Sequence, residues 1–184
     1  MLVHKAELAA FSAALNGDTK SVRKLIASLS PKAHALAWRI LGESSEAEDI
    51  VQAAFIKLFE AKKYDGKSAL STYMHTIVTR LCLDKLRISA SHKLDYGFEF
   101  DELVSDGKSN PVESLEKKQS DSNVQHAMQF LNARQRAALA LWAYHDASIS
   151  EIAKATGLEV NAAHQLLHRA KINLRKKMEQ LGYE

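Results

Sequence analysis

The chain has 184 residues, long enough for one large domain or two small ones. Hydrophobic residues make up 46% and charged residues 26%, so the chain can bury a core and is not disordered throughout. Only seven Gly and two Pro accompany many Ala and Leu, which favours helices over turn-rich β architecture. The single cysteine excludes an internal disulfide framework. No apolar stretch reaches the ~20 residues of a membrane span and no signal-peptide pattern is present, so we expect a cytoplasmic protein.

The net charge of +3 is the sum of three unlike segments. Residues 1–87 carry 13 Lys and Arg against 9 Asp and Glu, and residues 123–184 carry 8 against 5, so both segments are basic. Residues 88–122 carry 4 against 8, and their Gly and Pro interrupt the apolar periodicity. We therefore predict an N-terminal block (residues 1–88) and a C-terminal block (residues 123–184), joined by a flexible acidic linker (residues 89–122).

The N-terminal block is predicted to be a bundle of four helices. Their apolar residues recur at helical spacing, and Asp18, Ser30 and Ser45 are placed to cap three of them. On the polar side of the last helix, Arg80 and Asp84 are spaced as an i,i+4 ion pair. The four predicted helices span residues 18–28, 31–41, 46–61 and 70–87.

The C-terminal block contains the most specific local signal, which is typical of a helix-turn-helix. Asn132 is placed to cap the helix over residues 133–144. A short helix then ends at Gly157, which can adopt the left-handed conformation at low cost. Leu158 and Val160 follow as apolar residues that hold the corner before a long helix begins. Together with the N-terminal bundle, this predicts an all-α protein of two small domains.

The last helix, predicted over residues 161–181, has two different faces. Asn and Gln side chains can read base edges, while Lys and Arg can neutralise phosphates, so its polar side suits DNA binding. A solvated amphipathic helix is the alternative, and the preceding turn makes it less favoured. The predicted inward stripe consists of Val160, Ala163, Leu167, Ala170, Leu174 and Met178. The predicted outward face consists of Asn161, His164, Gln165, His168, Lys171 and Arg175.

Residue patterns for enzyme chemistry are weak. His164 and His168 have i,i+4 spacing, but no acidic residue completes a metal site and no HExxH is present. Cys82 lies on an apolar stripe and is predicted to be a buried small residue rather than a nucleophile. No P-loop or dinucleotide-binding glycine motif occurs. We therefore predict no catalytic residue, no metal and no cofactor.

Taken together, these segments resemble the bacterial RNA polymerase sigma factors of the small extracytoplasmic-function (ECF) group. Residues 46–59 resemble the core-binding helix of sigma region 2, and residues 70–87 resemble its promoter-melting helix. Residues 131–136, 149–153 and 168–175 resemble parts of region 4. The resemblance covers nearly the whole chain, in the family's order.

The resemblance implies three sets of binding residues. The first would dock on the clamp helices of the polymerase β′ subunit: Asp49, Ile50, Val51, Gln52, Phe55 and Leu58. The second would approach the −10 element: Lys63, Tyr64, Lys67, Ser68, Ser71, Thr72, Tyr73 and Arg80. The third would bind the −35 element: Asn161, His164, Gln165, His168, Arg169, Lys171 and Arg175.

The resemblance also implies partners: core RNA polymerase with its β flap, promoter DNA, and an anti-sigma factor, often membrane-bound in this group. The acidic linker would occupy the positively charged polymerase cleft. A stand-alone helix-turn-helix regulator is the alternative, but it leaves the region 2 match unexplained. A protein-binding helical adaptor leaves the polar face of the last helix unexplained.

The sequence departs from the family pattern at several positions. Tyr73 stands where Trp is usual, and Arg80 stands where Asn is usual. Asn132 replaces the usual Pro before region 4, and Leu166 stands where a basic residue is expected. These departures concern promoter sequence and binding strength rather than the fold.

Overall fold

A computed structural model of the chain describes residues 2–61, 64–95 and 115–183, with side chains for residues 5–61, 64–89 and 121–183. Within these ranges the chain forms helices and no strands, so the predicted all-α fold is confirmed. The helices in chain order are α1 (Leu2–Leu15), α2 (Thr19–Leu41), α3 (Ser44–Ala61), α4 (Leu70–Asp95), α5 (Leu115–Met128), α6 (Ala133–His145), α7 (Ile149–Thr156) and α8 (Val160–Gln180).

Helix α2 replaces two predicted helices. The Asp18 side chain accepts hydrogen bonds from the backbone N–H groups of residues 20 and 21, so this predicted N-cap is confirmed. Ser30 is not a cap, because the helix continues through Pro31. An interior proline costs roughly 3 kcal/mol. Buried apolar side chains on both sides of Pro31 pack against α3 and α4, and their burial outweighs that cost.

Two further helices of the N-terminal block differ from the prediction, one in its existence and one in its first residue. Helix α1 was not predicted, yet its Phe11 is only 1% exposed and stacks on Phe59 at 5.9 Å between ring centroids. Helix α3 begins at Ser44, so Ser45 lies inside the first turn and donates to the Glu43 carboxylate instead of capping. The bundle core thus depends on a helix whose own sequence is apolar on several sides.

Helices enter the predicted linker from both ends. Helix α4 continues to Asp95 and α5 begins at Leu115, whereas the linker was predicted over residues 89–122. Residues 96–114 lie outside the described residues, and with them most of the acidic segment. The described chain therefore leaves a shorter connection between the two helical blocks than the sequence suggested.

The helix-turn-helix forms largely as predicted. Asn132 caps α6 in a reciprocal capping box with Gln135, and Ser148 makes a second capping box with Glu151 on α7. Gly157 follows α7 with φ of 70°, in the left-handed region that favours glycine. Val160 was placed in the buried corner, but its side chain is 51% exposed, because it begins α8 at the surface.

The two blocks pack against each other in what we call the interblock contact. Helix α2 lies against α6, and α4 lies against both α6 and α7. A Cβ at Gly42, after α2, would lie 2.7 Å from Oε1 of the buried Gln129, so any larger residue there would displace that side chain. No local pattern in the sequence predicts this contact.

Candidate nucleic-acid and polymerase interfaces

The predicted DNA-reading face of α8 is open to solvent. Small residues let α8 sit close to α6 and α7: Ala163 and Ala170 are fully buried beside Leu167. The opposite side carries polar groups, all exposed, at Asn161, His164, Gln165, His168, Arg169, Lys171 and Arg175. The predicted polar side is thus exposed, and the predicted inward stripe is buried at Ala163, Leu167 and Ala170 but not at its first residue. The contact of the polar residues with DNA stays a prediction.

Two cations of this set are already engaged within the C-terminal block. The Lys171 ammonium lies 3.3 Å from the centroid of the Trp142 ring, a cation–π contact. Arg175 donates to the Glu179 carboxylate at 3.0 Å. The exposed Arg169 has no comparable partner among the described residues. Arg169 is therefore the more available of these three cations.

Lys171 and Arg175 also line an apolar groove between α5, α6 and α8. The groove has a volume of about 870 Å³ and includes Trp142, whose side chain is 44% exposed. Val124, Leu139, Leu174 and Met178 supply further apolar lining. A groove of this size, flanked by cations, can accommodate an amphipathic helix.

The loop between α3 and α4 is fixed to α1 by one carboxylate. Glu7 Oε2 accepts a hydrogen bond from the backbone N–H of Leu70 at 2.9 Å, at the first turn of α4. The same oxygen lies 3.3 Å from the hydroxyl of Tyr64, which donates to the Ser68 carbonyl at 2.8 Å. Burial and the Glu7 charge raise the pKa of Tyr64 to about 12. Sequence reasoning missed Glu7, because its role depends on a contact across 63 residues.

The predicted −10 residues are divided by this arrangement. Tyr64 is buried, with its ring 5.7 Å from Phe11 and 5.9 Å from Tyr73, so it supports the loop rather than facing solvent. Lys67 is exposed and pairs with Asp65 at 2.8 Å. Ser68, Ser71, Thr72 and Tyr73 are half-buried along the rim. Lys63 lies outside the described residues.

The predicted core-binding residues are also divided. Asp49 and Gln52 are exposed on α3, and Phe55 is half-buried. Ile50, Val51 and Leu58 are only 6%, 7% and 0% exposed, so they form the bundle core and cannot offer a docking surface in this structure. Helical geometry accounts for this: they lie on the stripe that faces α2 and α4. The exposed Ile56, which sequence reasoning missed, is the larger apolar group on the outer side.

Arg80 does not form the predicted pair with Asp84. Its guanidinium donates to the backbone carbonyl of Lys154 on α7 at 2.9 Å, while Asp84 pairs with Arg87 at 3.3 Å. A bond across 74 residues could not be read from local spacing. One predicted −10 residue is therefore held by the other block.

Other groups at the interblock contact are polar and incompletely paired. The Arg39 guanidinium lies 3.3 Å from the Tyr144 ring centroid, and Gln125 donates to the Trp38 carbonyl at 3.2 Å. Buried polar atoms of Arg39, Gln125, Gln129 and His145 nevertheless lack hydrogen-bond partners among the described residues. Each such atom costs roughly 1–3 kcal/mol. These unpaired atoms therefore reduce the stability of the contact.

No group of three or more His, Cys, Asp or Glu side chains in the described part of the chain is arranged to hold a metal ion. Burial raises the pKa of the fully buried Cys82 to about 12, which keeps the thiol protonated and unreactive. None of the helices within the described ranges is long and apolar enough to cross a membrane.

Known proteins with the same organisation share both blocks. Residues 25–92 match Sigma-70 region 2, and residues 121–174 match Sigma-70, region 4. The chain is 25% identical over 177 residues to the ECF RNA polymerase sigma factor SigW of Bacillus subtilis, covering 90% of this chain and 92% of SigW. It is 25% identical over 152 residues to SigE of Mycolicibacterium smegmatis, covering 83% of this chain but 59% of SigE.

Two solved structures share the fold. One is the sigma factor RpoE in complex with the anti-sigma factor NepR from Bartonella quintana, with a TM-score of 0.68 and 21% identity over 88% of this chain and 98% of the other. The other is CnrH in complex with the cytosolic domain of CnrY, with a TM-score of 0.64 and 18% identity over 95% and 98%. With both sigma regions present in order, the chain belongs to the ECF group of RNA polymerase sigma factors.

Proposed function

We propose that the chain is a dissociable specificity subunit that binds core RNA polymerase, recognises a promoter and opens its DNA strands to initiate transcription. The observation that carries this is the presence of both sigma regions in one chain, with the polar face of the region 4 helix α8 exposed. Sigma factors are regulatory subunits rather than enzymes. The protein would act in the cytoplasm, where it meets the polymerase.

The −35 element would be read by α8 lying in the major groove. Asn161 and Gln165 are one turn apart, exposed and able to bond adenine edges with their amides. Arg169, a further turn along, would meet a phosphate and thereby fix the register of the helix. His164 and His168 would border the same groove as polar contacts.

Strand opening would take place at the rim formed by the loop between α3 and α4. Unstacked bases need new partners, and the rim offers hydroxyl donors beside an exposed cation. Tyr64 and Glu7 would stiffen the rim from beneath, since both bond the segment that joins α4. The outer residues proposed to touch the −10 strand are Lys67, Ser68, Ser71, Thr72, Tyr73 and Arg80.

Core polymerase would dock on the outer side of α3. Asp49 and Gln52 supply polar groups there, Phe55 contributes a partly exposed ring, and Ile56 adds an apolar side chain that is 57% exposed. We propose that this narrower set contacts the β′ clamp helices. The acidic linker would lie in the cleft of the polymerase, on grounds of charge.

An anti-sigma factor is the proposed regulatory partner, as in the two solved complexes. The groove between α5, α6 and α8 offers apolar lining beside Lys171 and Arg175. An amphipathic helix with acidic flanks suits these properties. The same surface is available for the β flap of the polymerase when no anti-sigma factor is bound.

Run-off transcription with purified core polymerase on a promoter library tests the proposal. We expect transcripts only when the chain is added, from promoters that share a −35 and a −10 element. A Gln165→Ala variant should still bind core polymerase but lose selectivity at −35. A chain that binds DNA alone yet neither binds core polymerase nor directs a transcript would instead be a stand-alone helix-turn-helix regulator.

A further inference from the structure

Two histidines meet across the interblock contact. His75 on α4 and His145 at the end of α6 have ring centroids 4.2 Å apart. Both line a cavity of only about 20 Å³, together with Leu141, Ala147 and Ala155. His145 Nε2 is buried without a hydrogen-bond partner among the described residues. Two rings so close favour neutral imidazoles over two imidazolium ions, which would repel each other.

Charged groups of both signs face the pair. Burial, helped by the His145 and Lys32 charges, lowers the pKa of His75 to about 3. Burial also lowers the pKa of His145 to about 4, with Lys32 and Arg39 adding to the shift and Asp146 opposing it. The titratable or charged groups facing the pair are Lys32 and Arg39 on α2, Asp146 after α6 and Glu151 on α7.

The contact that holds these histidines also engages two residues of the proposed −10 surface. Thr72 lines the cavity beside His75, and the Arg80 guanidinium is bonded to the Lys154 carbonyl on α7. While α7 lies against α4, the half-buried Thr72 lies at the contact and the exposed Arg80 side chain is held by this hydrogen bond. The same contact leaves the polar face of α8 uncovered.

We propose that the interblock contact is a closed, inactive arrangement of the chain and that protonation of His75 and His145 opens it. This rests on the proposed function, because holding Thr72 and Arg80 at the interblock contact inhibits only a protein that uses them at the −10 element. In the closed arrangement the two imidazoles stay neutral, and in the open one they are solvated and take up protons.

The direction of the pH dependence follows from linkage. A histidine whose pKa is lowered in the closed arrangement stabilises that arrangement above its open-state pKa of about 6.5, and loses this effect as the pH falls below it. Between pH 7.5 and 5.5 the ratio of open to closed molecules should rise by up to about tenfold per histidine, and roughly 100-fold for the pair.

Energy transfer between two dyes on the full chain measures the opening without polymerase or DNA. Lys57→Cys on α3 and Gln180→Cys on α8 place the dyes on exposed positions of different blocks. The native Cys82 is fully buried and does not compete for label. We expect high transfer at pH 7.5 and a reversible fall towards pH 5.5, with helix content unchanged by circular dichroism.

Variants distinguish opening caused by protonation of the histidine pair from other effects of low pH on the protein. His75→Phe with His145→Phe keeps two aromatic rings but cannot titrate, so transfer should stay high at pH 5.5. If that double variant does not fold, the single variant His145→Gln is used instead. Between pH 7.5 and 5.5, the logarithm of its ratio of open to closed molecules should change by about half as much as in the parent chain. His145→Lys places a permanent charge in the contact and should open it at pH 7.5. His34→Gln, on α2 and bonded to Ser44, is the matched control and should behave as the parent chain.

Several results would overturn the proposal: low transfer in the parent chain at pH 7.5, no fall by pH 5.5, an equal fall in the non-titrating variant, or high transfer in His145→Lys at pH 7.5. Run-off transcription at pH 7.5 then tests inhibition. His145→Lys should give more transcript than the parent at limiting protein. Equal transcript from both overturns the inhibitory role alone, whereas no transcript from either contradicts the proposed function and leaves the opening measured by transfer in place.

Discussion

The two proposed DNA-binding surfaces differ in how far their side chains are exposed to solvent and free of contacts with the other block. On α8, the side chains proposed to read the −35 element are all exposed on one continuous face. On α4, Thr72 and Arg80 are half-covered or bonded by α7, and Tyr64 is buried beneath the rim. The proposed −35 surface is therefore complete within its own block, whereas two residues of the proposed −10 surface, Thr72 and Arg80, are engaged by the other block.

This difference matches the chemistry that each surface has to perform. A recognition helix reads the edges of paired bases, so a rigid, exposed helix that is packed against the rest of its domain is sufficient. A strand-opening surface offers partners to bases that have left the duplex, and the same groups can bind other polar partners beforehand. The carbonyl of Lys154, held by Arg80, is such a partner.

The largest expected effect comes from breaking the N-terminal block alone. Phe11→Ala removes a ring that is 1% exposed and packs on Phe59 and Tyr64. We expect a loss of roughly 3–5 kcal/mol in the free energy of unfolding of that block. Urea denaturation, followed by circular dichroism, measures it, with the exposed Ile56→Ala as a control near zero. A loss below about 1 kcal/mol would show that α1 is not part of the core.

The second effect concerns the exposed surface. Gln165→Ala removes a side-chain amide from the α8 face, and we expect roughly 1–3 kcal/mol weaker binding to the preferred −35 sequence, with little change on other sequences. Competition binding of the polymerase holoenzyme measures it. Asn173→Ala, also exposed on α8 but outside the proposed face, is the matched control. A uniform loss on all sequences would make Gln165 a backbone contact instead.

Most of the C-terminal block could be predicted from local sequence. The caps at Asn132 and Gly157 and the alternation of small and polar residues on α8 are short-range signals, and each appears in the structure as expected. These interactions join residues within one or two helical turns of each other, so they can be predicted from the local sequence.

The errors in the N-terminal block arise from long-range packing. Pro31 indicates a helix break locally, but core burial on both sides keeps α2 continuous. The roles of Glu7 and Arg80 depend on partners 63 and 74 residues away. Burial of Ile50, Val51 and Leu58 follows from the apolar stripe on which helical spacing places them.

The third prediction distinguishes two cations that sequence alone treated as equivalent. Arg169→Ala should weaken promoter binding on all sequences and reduce the salt slope by about one. Lys171→Ala should change the slope less, because its ammonium already lies over the Trp142 ring. Binding measured over a series of salt concentrations gives both slopes. Equal slopes for the two variants would mean that Lys171 leaves Trp142 when DNA binds.

The smallest effect tests whether the C-terminal block is as independent as its local signals suggest. Asn132→Ala removes the side chain that caps α6. Its Oδ1 atom accepts a hydrogen bond from the Gln135 backbone N–H at 3.0 Å. We expect the free energy of unfolding to fall by about 1 kcal/mol for the C-terminal block and to stay unchanged for the N-terminal block. Hydrogen exchange of amides in α6 and α7 against those in α3 measures each block separately. Asn132→Asp, which keeps an acceptor at the cap, should retain most of the protection. An equal loss in α3 would show that the interblock contact, despite its unpaired polar atoms, couples the unfolding of the two blocks.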